Sequence, residues 1–251
     1  MIEVKDIYKS FEDTTVLKGI STSFDKGKTN LIIGQSGSGK TVFLKCMLGL
    51  FTPEKGDICY DNRHYSKMSI KDKRNLRKEI GMLFQGGALF DSLSVEKNVM
   101  FPLTMFTDKP YDEMLDRVNT VLSRVNLENV NAKFPAELSG GMQKRVALAR
   151  AIVMNPKYLF CDEPNSGLDP KTAIVIDNLI HEITVEYDII TVINSHDMNS
   201  VMEIGEKIVF LKNGVKAWEG TNKEILHTDN KAVTDFVYSS DLLRKARQSY
   251  L

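Results

Sequence analysis

The sequence predicts an α/β fold, one domain built on a mostly parallel sheet and carrying a helical insertion. Three observations point there. Short apolar strands alternate with helical stretches after Pro156, which implies parallel strands covered on both faces. A glycine-rich turn joins an apolar strand to a helix at residues 34–41. Between Gln85 and Asn155 the pattern turns mostly helical.

The elements justify this in order. Ile2, Val4, Val16, Leu17, Ile20, Ser21 and Phe24 alternate or cluster between polar turns, as strands do. Thr29-Asn30-Leu31-Ile32-Ile33 is a short apolar strand, and the helix after the glycine turn runs through Leu44, Met47 and Leu48. Gly56-Asp57-Ile58-Cys59-Tyr60-Asp61 reads as a strand ending in a turn. From Ser69 the charge density rises, with Lys71, Asp72, Lys73, Arg74, Arg77, Lys78 and Glu79 on a solvated helix. Pro110 can begin a helix. Met114, Leu115, Val118, Val121, Leu122 and Val125 then repeat on one face, a core stripe. Tyr158–Asp162, Asp188–Ser195 and Lys207–Lys212 read as strands, with a helix near Thr172–Tyr187.

Composition limits the function classes. The 251 residues carry 33 Lys+Arg and 33 Asp+Glu, a formal net charge of zero, which argues against a nucleic-acid partner. With 42% hydrophobic and 26% charged residues the chain is globular. Cys46, Cys59 and Cys161 form no CxxC pair, so neither a disulfide framework nor a zinc site follows, and a reducing compartment fits. No apolar stretch nears the roughly 20 residues of a membrane span. Met1–Asp6 carries acidic groups and alternates like a strand, unlike a signal peptide. The chain is expected to be soluble and cytoplasmic.

Gly34-Gln35-Ser36-Gly37-Ser38-Gly39-Lys40-Thr41 matches GxxxxGK[ST] between a strand and a helix. Glycines let backbone N–H groups approach phosphate oxygens, and the helix N-terminus favours their charge. Lys40 would reach the β- and γ-phosphates and the Thr41 hydroxyl would ligate Mg²⁺. The motif points to nucleotide without choosing between ATPase, GTPase and kinase. Tyr158-Leu159-Phe160-Cys161-Asp162-Glu163 is an apolar strand ending in two carboxylates. Asp162 is placed to hold Mg²⁺ through water, and Glu163, one residue on, is the better general base. Ser139 can cap the helix that follows it, with Gly140 and Gly141 exposing first-turn N–H groups as a second anion site. With one phosphate loop and a second phosphate-binding helix end, the two meet either within one subunit or across a dimer.

The phosphate loop, Gln85, Leu138-Ser139-Gly140-Gly141-Met142, Asp162-Glu163, Ser166-Gly167-Leu168-Asp169 and His196 stand in the order found in ABC-type ATPases. The chain resembles that family over nearly its whole length. The resemblance implies a P-loop NTPase (RecA-like) core at about 1–85 and 156–220, with an antiparallel β subdomain. A helical subdomain at about 86–155 and a short C-terminal helical tail at about 221–251 complete one nucleotide-binding domain. It implies ATP with Mg²⁺, bound in a homodimer between the phosphate loop of one subunit and the Ser139–Gly141 helix of the other. Phe11 then matches the aromatic that stacks on adenine, although as an isolated Phe it could equally be core. Gln85 matches the residue that senses Mg²⁺ and water. Asp169 matches the one that couples the two sites, and His196 the one that contacts the γ-phosphate and orients Glu163. Asn165 stands where many relatives carry Thr. His64, His181 and His227 lack such context and are expected at the surface.

A finer likeness lies in Gly81–Val95, continued by Asn98-Val99 and Phe101-Pro102-Leu103. It is similar to the ATPase subunits of Mla/Mce-type bacterial phospholipid transporters. That implies integral-membrane permease subunits, a periplasmic lipid-binding protein, and a place on the cytoplasmic side of the inner membrane. Ala88, Leu89 and Phe90 follow Gln85 on a glycine-hinged loop suited to a permease helix, or are buried in the helical insertion. The alternative function is an ABC ATPase that does not transport but regulates cell division or wall remodelling through a membrane partner.

Overall fold

The computed structural model describes residues 1–238. The strands are β1 (Ile2–Phe11), β2 (Thr14–Phe24), β3 (Thr29–Ile33), β4 (Lys55–Tyr60), β5 (Arg63–His64), β6 (Ile80–Leu83), β7 (Tyr158–Asp162), β8 (Ile190–Ser195), β9 (Lys207–Lys212) and β10 (Val215–Gly220). The helices are α1 (Lys40–Met47), α2 (Ile70–Lys78), α3 (Val95–Phe106), α4 (Tyr111–Arg124), α5 (Gly140–Ile152), α6 (Pro170–Glu186), α7 (Met198–Ile204) and α8 (Lys231–Val237). They fall into two compact units. The first comprises Met1–Asp25, Thr29–Lys67 and, of the described residues, 194–238; the second comprises Lys26–Lys28 and Met68–Ile193.

In the first unit an antiparallel sheet has the order β2-β1-β4-β5. Ile2, Val4 and Ile7 of β1 face its core, and β1 pairs with β2 from Ile2↔Phe24 to Phe11↔Thr14. β3 pairs in parallel with β9, which pairs antiparallel with β10. Every residue of β3 is buried, which is why it reads as a continuous run rather than an alternation. Full burial of each such Leu or Ile contributes about 1.5–3 kcal/mol. The Phe24 ring lies 6.4 Å from that of Phe43 on α1, and Tyr60 Oη donates to the Met47 carbonyl, so α1 is held by β2 and β4. α8 is docked by Phe236, 5.2 Å from Phe210. It lies within the expected C-terminal tail at about 221–251; residues 239–251 of that tail lie outside the described residues. β10 was not expected, because a register shift between Lys216 and Trp218 breaks its alternation.

In the second unit β7 pairs in parallel with β6, Ile80 opposite Tyr158 and Leu83 opposite Cys161. β7 is wholly buried, so its carboxyl-end Asp162 is delivered from a rigid strand. Helices α3, α4 and α5 pack on one another through Val99, Leu103, Val118, Val121, Leu122 and Val146. The expected stripe of α4 is therefore core, with Leu115 only half-buried. Arg117 closes the end of α5 by donating to the carbonyls of Val153 at 3.0 Å and Ile152 at 3.1 Å. α2 buries only Leu76, as its charge implies. His181, expected at the surface, is half-buried on α6 with Nδ1 enclosed, since Leu179, Ile180 and Ile183 turn that helix into the core. Among the described residues no helix is long and apolar enough to cross a membrane.

Candidate active site

Each unit carries part of the residue set singled out above. In the first, the buried strand β3 ends at Ile33 and the chain turns through Gly34 into α1. A Cβ at Gly34 would lie 2.3 Å from the Leu211 carbonyl oxygen and 2.8 Å from Ser38 Oγ, at φ +149°. Only glycine fits there. Lys40 is folded back over the loop, its ammonium donating to the carbonyls of Gly34 at 2.8 Å and Gln35 at 3.2 Å. Ser38 Oγ is enclosed without a protein hydrogen-bond partner. An unpaired buried hydroxyl costs about 1–3 kcal/mol, a cost that an incoming hydrogen-bond acceptor such as a phosphate oxygen would remove. Gln35, Ser36 and Gly37 form the exposed crest, Gly39 is the left-handed N-cap of α1, and Thr41 is exposed in the first helical turn. A loop of this build, with a lysine and a hydroxyl at its helix end, fits a polyphosphate and its magnesium ion.

Phe11 is not core. Its ring is 39% exposed, set edge-on to Phe51 at 5.1 Å, with the Lys9 ammonium 5.2 Å from its centroid. His196 is exposed, one residue beyond β8 and next to Asp197, the N-cap of α7.

In the second unit Asp162 is buried at the end of β7 and Glu163 follows with φ +47°. Holding a non-glycine residue in that region costs on the order of 1–3 kcal/mol and turns the side chain out of the strand direction. Glu163 Oε2 accepts a hydrogen bond from Gln85 Nε2 at 3.0 Å, and the same amide lies 3.3 Å from Ser166 Oγ. Three of the sequence motifs, those of Gln85, Glu163 and Ser166, thus converge on one amide group. Behind them Lys144 of α5 donates to the Gln85 carbonyl. Burial pulls the Lys144 ammonium below the ordinary lysine range, against the charges of neighbours that include Glu163. Cys161, fully buried, has its thiol pushed far up by burial and by Asp177, so it is chemically inert.

Ser139 caps α5, its Oγ accepting from the Met142 amide at 3.3 Å, and Ser139 and Gly140 are exposed. With no acidic residue in the first turn, that helix end presents uncompensated positive dipole. A Cβ at Gly141 would fall 2.6 Å from Thr172 Cγ2, so α5 and α6 start side by side. Asp169 caps α6: it accepts from the amides of Lys171 and Thr172, both at 3.1 Å, and from Thr172 Oγ1 at 2.5 Å. These bonds, the Thr172 hydroxyl first, hold its carboxyl below the usual carboxylate range. Within this unit, then, Gln85, Glu163 and Ser166 are joined, and Ser139–Gly141 lie beside the helix that Asp169 caps. Sequence reasoning passed over Lys144 and Arg150. Their signal was cations set among the Ala, Val and Leu residues of α5, where Lys144 is only 6% exposed.

Residues 17–166 match the model of the family described as ABC transporter. The chain is 36% identical over 236 residues to the "Probable ribonucleotide transport ATP-binding protein mkl" of Mycobacterium leprae, covering 94% of this chain and 68% of that protein. It is 37% identical to the "Methionine import ATP-binding protein MetN" of Clostridium tetani, covering 97% and 76%. It is 35% identical to the "Intermembrane phospholipid transport system ATP-binding protein MlaF" of Haemophilus influenzae, covering 94% and 90%. Among solved structures it is similar to the dimeric post-hydrolysis state of the ATP-binding cassette MJ0796 bound to ADP and Pi. The TM-score is 0.80 at 30% identity, covering 88% of this chain and 99% of that one.

Proposed function

Since the chain belongs to the ABC transporter family as an ATP-binding, ATP-hydrolysing subunit, we propose that it powers phospholipid movement between the inner and outer membranes of a bacterium. The observation that carries the coupling part of this reading is the segment Gln85–Phe90. At one end the Gln85 amide sits on Glu163. At the other, Phe84, Phe90, Phe101 and Phe106 line an open, largely apolar groove of about 400 Å³, with Phe90 42% exposed. A permease helix seated in that groove and the γ-phosphate beside Gln85 would bias one movable segment, which is what coupling requires. The phospholipid assignment is supported by the likeness to MlaF over 94% of the chain.

In the proposed chemistry, the amides of residues 34–41 and the Lys40 ammonium neutralise the β- and γ-phosphates. Phe11 stacks on adenine. The Ser139–Gly141 helix end of a second copy closes on the γ-phosphate, so the working form is a homodimer on the cytoplasmic face of the membrane. Thr41, Asp162 and Gln85 would hold Mg²⁺, which when bound offsets charge on the transferring phosphoryl group. Glu163 accepts the proton of the attacking water, Gln85 and His196 orient that water, and Asp169 links the two sites. A periplasmic lipid-binding protein completes the path beyond the permease.

The test is ATP-dependent transfer of labelled phospholipid by this subunit reconstituted with the membrane permease that co-purifies with it. Phospholipid transfer, with none of labelled methionine or ribonucleotide, supports the reading. An assembled, ATP-hydrolysing complex that moves no phospholipid overturns it, and a cell-wall defect on deletion would then favour a division-type regulator. Phe90→Asp, which puts a charge into an apolar contact, should weaken permease binding by about 2–4 kcal/mol, as at other hot spots.

A further inference from the structure

The backbone of the segment that carries Gln85 is fastened to α5, the helix that begins at Ser139. Lys144 donates to the Gln85 carbonyl. Three residues on, Ala147 faces Gly87, where an added Cβ would lie 3.6 Å from the Ala147 methyl. Three further on, Arg150 donates through Nη2 to the Gly87 carbonyl at 2.6 Å and through Nη1 to the Ala88 carbonyl at 2.8 Å. Residues spaced by three lie along one ridge of a helix, so α5 presents a continuous seam to the segment. Ala88 adopts φ +49°, a left-handed conformation that an alanine holds only when its surroundings impose it, and Arg150 grips that same residue. The guanidinium also lies 5.8 Å from the Phe90 ring centroid. Asn98 of α3 closes the far side, donating to the Phe90 and Leu93 carbonyls at 3.0 Å and accepting from the Phe90 amide at 2.8 Å.

We infer that Lys144 and Arg150 are positioning residues for hydrolysis. By holding the carbonyls of Gln85, Gly87 and Ala88 they aim the Gln85 amide at Glu163 and make the segment move with α5. A displacement of the Ser139 end of that helix is then carried to Gln85 and to Phe90 through hydrogen bonds to backbone, independent of the segment's side chains. The fork of Arg150 matters, because two carbonyls are held at once; a lysine supplies charge at a single point. The inference rests on the proposed role of Gln85, and the experiment separates the two.

Full-length wild type, Arg150→Ala, Arg150→Lys and Lys144→Met are compared in amide hydrogen exchange and in Mg-ATP hydrolysis, with far-UV circular dichroism as the folding control. Expected is faster exchange at residues 85–90 in Arg150→Ala and Lys144→Met. The turnover number should fall roughly 10–100-fold, the usual consequence of a misplacement near 1 Å, with KM for ATP within about threefold. Arg150→Lys should recover part of both. In a Gln85→Ala background, Arg150→Ala should add little further loss, because both changes remove one function. Unchanged exchange at 85–90 in folded Arg150→Ala overturns the mechanical tie. A full additional loss on top of Gln85→Ala overturns action through Gln85. Normal turnover by Gln85→Ala alone refutes the role of Gln85 itself, while the exchange data still decide whether the tie exists.

Discussion

Gly34→Ala puts a methyl group into the tightest place of the phosphate loop. The backbone there has φ +149°, and the new Cβ would lie 2.3 Å from the Leu211 carbonyl oxygen and 2.8 Å from Ser38 Oγ. The conformational cost to an L-residue is about 1–3 kcal/mol. Displacing β9 backbone adds roughly 1–3 kcal/mol, the range of overpacking. Gly37→Ala is the internal control: its φ is +79° and nothing lies within 4 Å of the added Cβ, so only a backbone cost of about 1–2 kcal/mol remains. The variants should therefore differ by the contact cost, on the order of 1–3 kcal/mol, or about 2–12 °C in melting temperature for a chain of this size. The assay is thermal unfolding without nucleotide, followed by titration with a fluorescent ATP analogue. Gly34→Ala should melt lower and bind more weakly than Gly37→Ala. Equal melting temperatures would refute the packing argument, since they would mean that β9 yields to the methyl at no cost.

Ser139→Arg places a bulky cation at the exposed start of α5; it should leave monomer binding of ATP intact yet abolish ATP-induced dimerisation, measured by sedimentation with Glu163→Gln as the non-hydrolysing background. Asp169 gives a pH signature. Its carboxyl is depressed below the ordinary value of 3.8, so its stabilisation is fully present above that value and is lost as pH falls through the folded-state value. Asn can also cap a helix but does not titrate, so the melting-temperature advantage of wild type over Asp169→Asn should shrink on acidification below about pH 4. An advantage independent of pH would mean that the Thr172 contacts do not favour the ionised form.

The legible parts of this chain were those where one local pattern carries the physics. The β3 strand, the turn at Gly34 and the start of α1 are contiguous in sequence, and so are Ser139 with its two glycines and the β7 strand with Asp162. What could not be read depends on contacts between distant residues. Phe11 could be core or surface until Phe51, forty residues on, was seen to hold its ring from the side. The amide of Gln85 meets Glu163 across 78 positions, and Arg150 reaches the Ala88 carbonyl across 62. Neither leaves a period or a motif, because a backbone carbonyl is the same at every residue. β10 escaped because a register shift interrupts its alternation, and His181 because a lone histidine on a helix does not announce which face is turned inward.

The central claim is that Glu163, poised by Gln85, is the base that splits ATP at a site completed by a second copy. The measurement that tests it most directly is ATP turnover by Glu163→Gln in the assembled complex, with nucleotide binding measured alongside. Expected are binding near the wild-type level, hydrolysis slowed roughly 10²–10⁴-fold, and a dimer that persists while ATP is present. Hydrolysis at the wild-type rate by Glu163→Gln would contradict it.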